Sequence, residues 1–188
     1  MFKKENCSGP VPENLSPGFM GELELFKFEY DKRSGALLEK INSVASAAAS
    51  DEIKKWADGL ASDRMDIFAG LDQCIAFTAA LNEKVSAGRL AGQNEQIIAD
   101  VTSSENDILS RLTSMQRISS ASLQRAFSLG LPARIKDLEK GTGALLAEAI
   151  NACTDLTQFM SNELQDLAIF LKEHYKTVTH PLDENHPE

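Results

Sequence analysis

Apolar side chains recur every three or four residues along most of this chain, a spacing that places them on one face of an α-helix. One such stripe covers residues 19–48 and a second covers residues 53–85. The alternation of apolar and polar residues that marks a half-buried strand is missing from the sequence. The pattern therefore predicts long amphipathic helices and an all-α fold.

Two further stripes follow the same spacing. The third covers residues 98–126 and includes Glu105 among apolar positions. The fourth covers residues 135–178 and includes Glu163 and His174. Both stripes are long enough for helices of eight or more turns at 3.6 residues per turn.

Recognisable breakers separate the four stripes. Ser50 precedes an acidic turn and suits a helix N-cap, while Gly130 and Pro132 suit the end of one helix and the start of the next. The segment KGTG at residues 140–143 is a weak point in the fourth helix, where a kink or a short break would not be surprising. The helices predicted in this way cover residues 18–49, 51–87, 93–129 and 132–178.

Short connections make consecutive helices antiparallel neighbours. We therefore expect an elongated antiparallel four-helix bundle with up-down-up-down topology, formed by a single domain at residues 18–179. A rival arrangement is two long hairpins that complete a bundle only by dimerising, because Ala, Ser and Thr dilute the apolar stripes. Proline-rich composition predicts a flexible segment at residues 1–17 and a flexible acidic tail at residues 180–188.

Composition narrows the classes of partner. The chain has 188 residues and a formal net charge of −9, and its cations are scattered. Binding to nucleic acid requires concentrated positive charge, so we expect no nucleic-acid partner. No run of 18 apolar residues is present, so no transmembrane segment is predicted. Three cysteines without a CxxC spacing favour a reducing, cytoplasmic location.

Residues that could perform chemistry are sparse and poorly spaced. Di-iron helical bundles use Glu-x-x-His pairs, because residues i and i+3 face the same metal. No glutamate of this chain has a histidine three residues later, and Glu173 and His174 are adjacent, about 100° apart on a helix. We therefore predict no catalytic residue, no metal site and no cofactor, and an enzymatic function is disfavoured.

Four polar residues lie on the apolar stripes and are candidates for a buried polar layer. They are Ser34, Arg64, Glu105 and Glu163. Ser34 and Arg64 are about equally far from the turn near Ser50, so they are expected at one level. Loop counting does not place Glu163 at the level of Arg64. Such a layer would fix the register of the helices at some cost in stability.

Several large apolar side chains lie beside the stripes rather than on them. Flank packing explains such residues in most bundles, but they also suit the docking of a partner helix. The candidates for partner binding are Met20, Leu25, Phe28, Phe68 and Phe77.

These features favour a non-enzymatic helical interaction protein, an adaptor or a chaperone-like protein. We expect it to bind a protein partner, to form a homo-oligomer, or to do both. Two alternatives remain open at this point. One is a bundle that binds a small ligand or a metal in its core, as a sensor or an oxidative enzyme. The other is a protein that coats a hydrophobic surface.

Overall fold

A computed structural model describes residues 17–179, except for the side chains of Asn94 and of residues 177–179. Within this range the chain is all-helical, and no strand is present. None of the helices in the range is long and apolar enough to cross a bilayer. The segments predicted to be flexible are residues 1–17 and 180–188, and apart from Pro17 they lie outside the described residues. The helices are α1 Phe19–Ala48, α2 Asp51–Ala91, α3 Asn94–Ser128, α4 Leu131–Arg134 and α5 Lys140–Thr179.

The predicted breakers Ser50 and Gly130 lie at helix boundaries, and Gly92 marks a further boundary. The Ser50 side chain accepts a hydrogen bond from the Ile53 backbone N–H, which caps the start of α2. Gly92 ends α2 and Gly130 follows α3, both with a positive φ that is readily accessible to glycine. Two-residue connections therefore join α1 to α2 and α2 to α3.

The long helices pack side by side around one apolar core. α1 contacts α2 and α5, and α3 contacts the same two helices. The largest fully buried side chains include Trp56, Tyr30, Phe19 and Phe26. Their burial removes a large apolar area from water, and this is the main force that holds the helices together.

The helix predicted over residues 132–178 is broken, but at residues 135–139 rather than within the weak point at residues 140–143. The chain leaves α4 after Arg134 and turns through residues 135–139 before α5 begins at Lys140. Ile135 and Leu138, which lie within this turn, pack against the core. Gly143, inside the first turn of α5, permits the close return, because a Cβ there would lie 2.6 Å from the Ile135 carbonyl oxygen.

The predicted end of the second helix at residue 87 is also wrong, by four residues. The helix continues through Gly88 because this glycine is a packing position, where a Cβ would lie 2.5 Å from Ile97 Cγ1 of α3. The predicted start of the second helix at residue 51 agrees with the structure, and the other predicted boundaries of the first three helices differ from the observed ones by one residue.

We expect Gly143→Ala to destabilise the protein by about 1 to 3 kcal/mol, since the new methyl group would press on a backbone oxygen. Gly141→Ala is the matched control, because nothing lies within 4 Å of a Cβ at that position. The control should stabilise the helix by about 0.5 to 1 kcal/mol, because alanine is the better helix former. Urea unfolding followed by circular dichroism measures both changes, and equal stability of the two variants would contradict the packing at Gly143.

Candidate functional site

A shallow groove of about 500 Å³ runs along the surface between α1 and α2. Its floor is apolar and its rim is charged. We call it the α1–α2 groove, and its lining residues are Glu24, Lys27, Phe28, Asp31, Phe68, Asp72 and Ile75.

Phe68 is the side chain around which the groove is organised. Its ring packs against Tyr30 with the ring centroids 5.5 Å apart. Two cations lie over the same ring, Lys27 Nζ at 5.9 Å and Arg64 Cζ at 5.0 Å from the centroid. Lys27 pairs with Asp72 across the two helices. The ring therefore lies beneath cations that are held by carboxylates.

A second ion pair crosses the same two helices. Arg64 donates from Nε to Ser34 Oγ at 2.9 Å and from Nη2 to Asp31. Ser34 is fully buried. Burial raises the pKa of the neighbouring Tyr30 hydroxyl, and the Arg64 charge opposes this effect. Ser34 and Arg64, two members of the predicted polar layer, are thus in direct contact at the edge of the groove.

The other two members of the predicted layer lie elsewhere. Glu105 is half-buried on α3, and Glu163 is half-buried on α5. Burial raises the pKa of the Glu163 carboxyl, and the like charge of Asp166 adds to this effect. Neither glutamate is hydrogen-bonded or ion-paired to Arg64 in the part of the chain that the structure describes.

A polar cluster that sequence reasoning missed joins α2 to α3. Asp63 accepts two hydrogen bonds from the Arg125 guanidinium, at 2.8 and 3.3 Å, and a third from the Ser122 hydroxyl. Trp56 Nε1 donates to the Ser122 carbonyl oxygen at 3.0 Å. Gly59 leaves room for the guanidinium, because a Cβ there would lie 2.3 Å from Arg125 Nη1. A fork of two parallel hydrogen bonds is the strongest geometry for such a pair.

The five predicted partner-binding residues are all half-buried, but they do not form one surface. Phe28 and Phe68 both line the α1–α2 groove. Phe77 lies beneath the Arg111 guanidinium of α3, with Cζ 5.1 Å from the ring centroid. Met20 and Leu25 lie on α1 outside the groove lining. Among the described residues, the most exposed large apolar side chains are others: Met65, Leu90, Phe127, Leu145 and Ile169. Of these, Leu145 was expected on the fourth stripe, but the neighbouring Leu146 is the buried residue.

The most reactive side chains among the described residues are two buried thiols and one imidazole. Burial raises the pKa of Cys74 and of Cys153 to about 11, which keeps both thiols protonated and weakly nucleophilic near neutral pH. His174 stacks on Phe170 with centroids 5.9 Å apart, and partial burial lowers the pKa of its imidazole. Among the described side chains, no group of three or more His, Cys, Asp or Glu is placed to hold a metal ion.

Comparison with protein-family models, curated proteins and solved structures finds no match to this chain. Its function must therefore be inferred from its own side chains. In the α1–α2 groove, aromatic rings, charge and accessibility coincide.

The cluster at Asp63 gives a prediction about stability. Arg125→Met should destabilise the protein by about 2 to 3 kcal/mol, because it leaves a buried carboxylate without its cation. Lys40→Met is the control, since it removes an exposed ion pair to Glu148 and should cost less than about 1 kcal/mol. Urea midpoints at neutral pH compare the two variants, and a similar cost for both would show that Asp63 does not depend on Arg125.

Two carboxyl groups give a prediction about pH. Burial raises the pKa of Glu22 as well as that of Glu163, and Glu22 Oε2 has no hydrogen-bond partner among the described residues. Since each pKa is higher in the folded state than its ordinary value of 4.5, the native state binds these protons more tightly. Their contribution to stability therefore increases as the pH falls from neutrality toward 4.5, and it is lost as the pH rises through the folded-state pKa.

Glu163→Gln should consequently raise the melting temperature at neutral pH and flatten its dependence on pH in this range. Glu173→Gln removes the same charge from an exposed position on the same helix, and it should leave the slope of the wild type unchanged. Melting curves recorded between pH 7 and pH 4.5 test both expectations. A variant slope as steep as that of the wild type would rule out the role of Glu163.

Proposed function

We propose that this chain is a non-enzymatic interaction protein, an adaptor or chaperone-like protein, that binds a protein partner through the α1–α2 groove. The observation that carries the proposal is the arrangement of the groove itself. Partly accessible Phe28 and Phe68 lie between the ion pairs Lys27–Asp72 and Arg64–Asp31, and Ile75 extends the apolar lining three residues beyond Asp72. An apolar centre enclosed by a charged rim is the usual organisation of a protein-binding surface.

The proposal includes the arrangement of the helices, which we infer to be an up-down-up-down four-helix bundle. Pairs of contacting residues support antiparallel neighbouring helices. In each helix pair, the residue number on one helix rises while the number of the residue that it contacts on the other helix falls. Lys27 meets Asp72 while Asp31 meets Arg64, four residues further along α1. Across α2 and α3 the same holds for Asp63 with Arg125 and for Lys84 with Asp100, and across α1 and α5 for Phe19 with Phe170 and for Lys40 with Glu148.

A ligand in the core has less support than a partner on the surface. The interior positions are shielded from solvent, and the large side chains Tyr30, Leu60 and Met160 among them are at most 2% exposed. The α1–α2 groove lies at the surface, and so does a second groove on the other side of α1. This second groove, of about 260 Å³ between α1 and α5, contains no aromatic ring among its lining residues, which are Arg33, Ala36, Leu37, Lys40, Ala152, Asp155 and Leu156.

Affinity capture from the native cell extract tests the groove when matched variants are compared. Phe28→Ser removes an apolar ring of the groove, and Phe127→Ser removes an exposed ring on α3, outside the groove. We expect a partner that the wild type and Phe127→Ser retain and that Phe28→Ser retains about tenfold less or worse, the loss typical of a central interface residue. Equal retention by all three proteins, or none above background, would contradict the proposal.

A further inference from the structure

The rim of the α1–α2 groove is asymmetric in its charge. The side chain of Asp72 is 61% exposed whereas its partner Lys27 is 35% exposed. The side chain of Asp31 is 58% exposed whereas its partner Arg64 is 29% exposed. Both cations lie over the Phe68 ring, as cation–π pairs do, while the carboxylates point toward solvent. The rim therefore presents negative charge outward although its charges are paired.

The lining residues and the whole chain have the same sign. Glu24, Asp31 and Asp72 contribute three carboxylates to the lining, against the single ammonium of Lys27. Even with the adjoining Arg64 counted, acidic groups outnumber basic ones. The net charge of the chain is −9, which favours the approach of a cationic partner in general.

The dimensions of the groove suit a short helical segment. Its α1 wall extends from Glu24 to Asp31, about 10 Å at the rise of an α-helix. Two turns of a partner helix fit this length and bring two or three apolar side chains onto Phe28, Phe68 and Ile75. Lys or Arg side chains on either flank of that apolar stripe would reach Asp31 on one wall and Asp72 on the other.

We infer that the occupant of the α1–α2 groove is a basic amphipathic helix of a partner protein, which places an apolar stripe on Phe28 and Phe68 and its flanking cations against Asp31 and Asp72. This inference rests on the proposed function and specifies the chemistry of the partner. The cations of the partner would meet carboxylates that already have an ion-pair partner within the chain, so each contact at the rim contributes modestly to the binding free energy. The apolar stripe therefore supplies most of the affinity.

The test uses the full chain labelled with ¹⁵N and three synthetic peptides, followed by NMR titration. The first peptide has Leu and Lys at helical spacing, the second has the same composition in scrambled order, and the third replaces every Lys by Glu. We expect the first peptide to shift the amides around Phe28 and Phe68 and to bind more tightly than the scrambled one. The scrambled peptide controls for general attraction to a chain of net charge −9.

Paired variants locate the contact. The double variant Asp31→Asn, Asp72→Asn should weaken binding of the Leu/Lys peptide about fivefold, the sum of two rim contacts of about 0.5 kcal/mol each. The control Asp58→Asn, Asp66→Asn removes the same charge from exposed positions of α2 and should change the dissociation constant less than about twofold. Circular dichroism and urea unfolding establish that both variants keep the fold.

Each contrary result has a distinct meaning. Groove shifts with the Leu/Glu peptide alone would overturn the inference about charge while leaving the groove as a binding surface. Equal binding of the ordered and scrambled peptides, or equal effects of the two double variants, would overturn the inference by showing general electrostatic attraction. Failure of the proposed function is seen separately, when Phe28→Ser captures as much partner protein as the wild type.

Discussion

Asp63 is a carboxylate among apolar side chains, and its burial is tolerable only because Arg125 and Ser122 reach it from α3. That requirement fixes how α2 lies along α3, since a shift of one turn would leave the charge unpaired. The next residue, Arg64, points about 100° away and reaches Ser34 of α1. Two consecutive residues of α2 thus set the register of both neighbouring helices, and the arrangement of the α1–α2 groove follows from the second of them.

The groove inherits its form from this register. Arg64 can lie over Phe68 because both belong to the same face of α2, one turn apart, and its charge is then held by Asp31 of α1. The Arg64 side chain packs on the Phe68 ring and pairs with Asp31, so it covers part of the apolar surface and leaves the rest of the half-buried ring accessible. The same contacts that hold α1 to α2 therefore leave an aromatic floor close to solvent.

The helical stripes of α1 and α2 could be predicted because every step is three or four residues and nearly every position is apolar. In α5 the same rule allowed either a step of three or a step of four residues. It selected Glu163 and His174, which lie at the flank of the stripe. The neighbouring residues Leu164 and Tyr175 face the core instead. Burial selects the apolar member of each neighbouring pair, and spacing alone does not distinguish the two.

The polar contacts show a similar division. Counting from the turn at Ser50 puts Ser34 and Arg64 at one level, and they are hydrogen-bonded. Asp31 and Asp63 were not singled out because an aspartate beside a helical stripe has the same pattern as a solvated one. Only the position of a cation on another helix distinguishes the two cases, and that position depends on long-range packing.

Gly18, at the start of α1, lies against the imidazole of His174 near the end of α5, so close that a Cβ on the glycine would be 2.7 Å from Cε1. The start of α1 therefore lies beside the C-terminal part of α5. A short linker from residue 179 to residue 17, with new ends opened at the Gly92–Gln93 turn, would give a circular permutant that keeps every helix contact. The start of α1 and the end of α5 thus lie close together, and the packing of the helices does not depend on which helix comes first in the sequence.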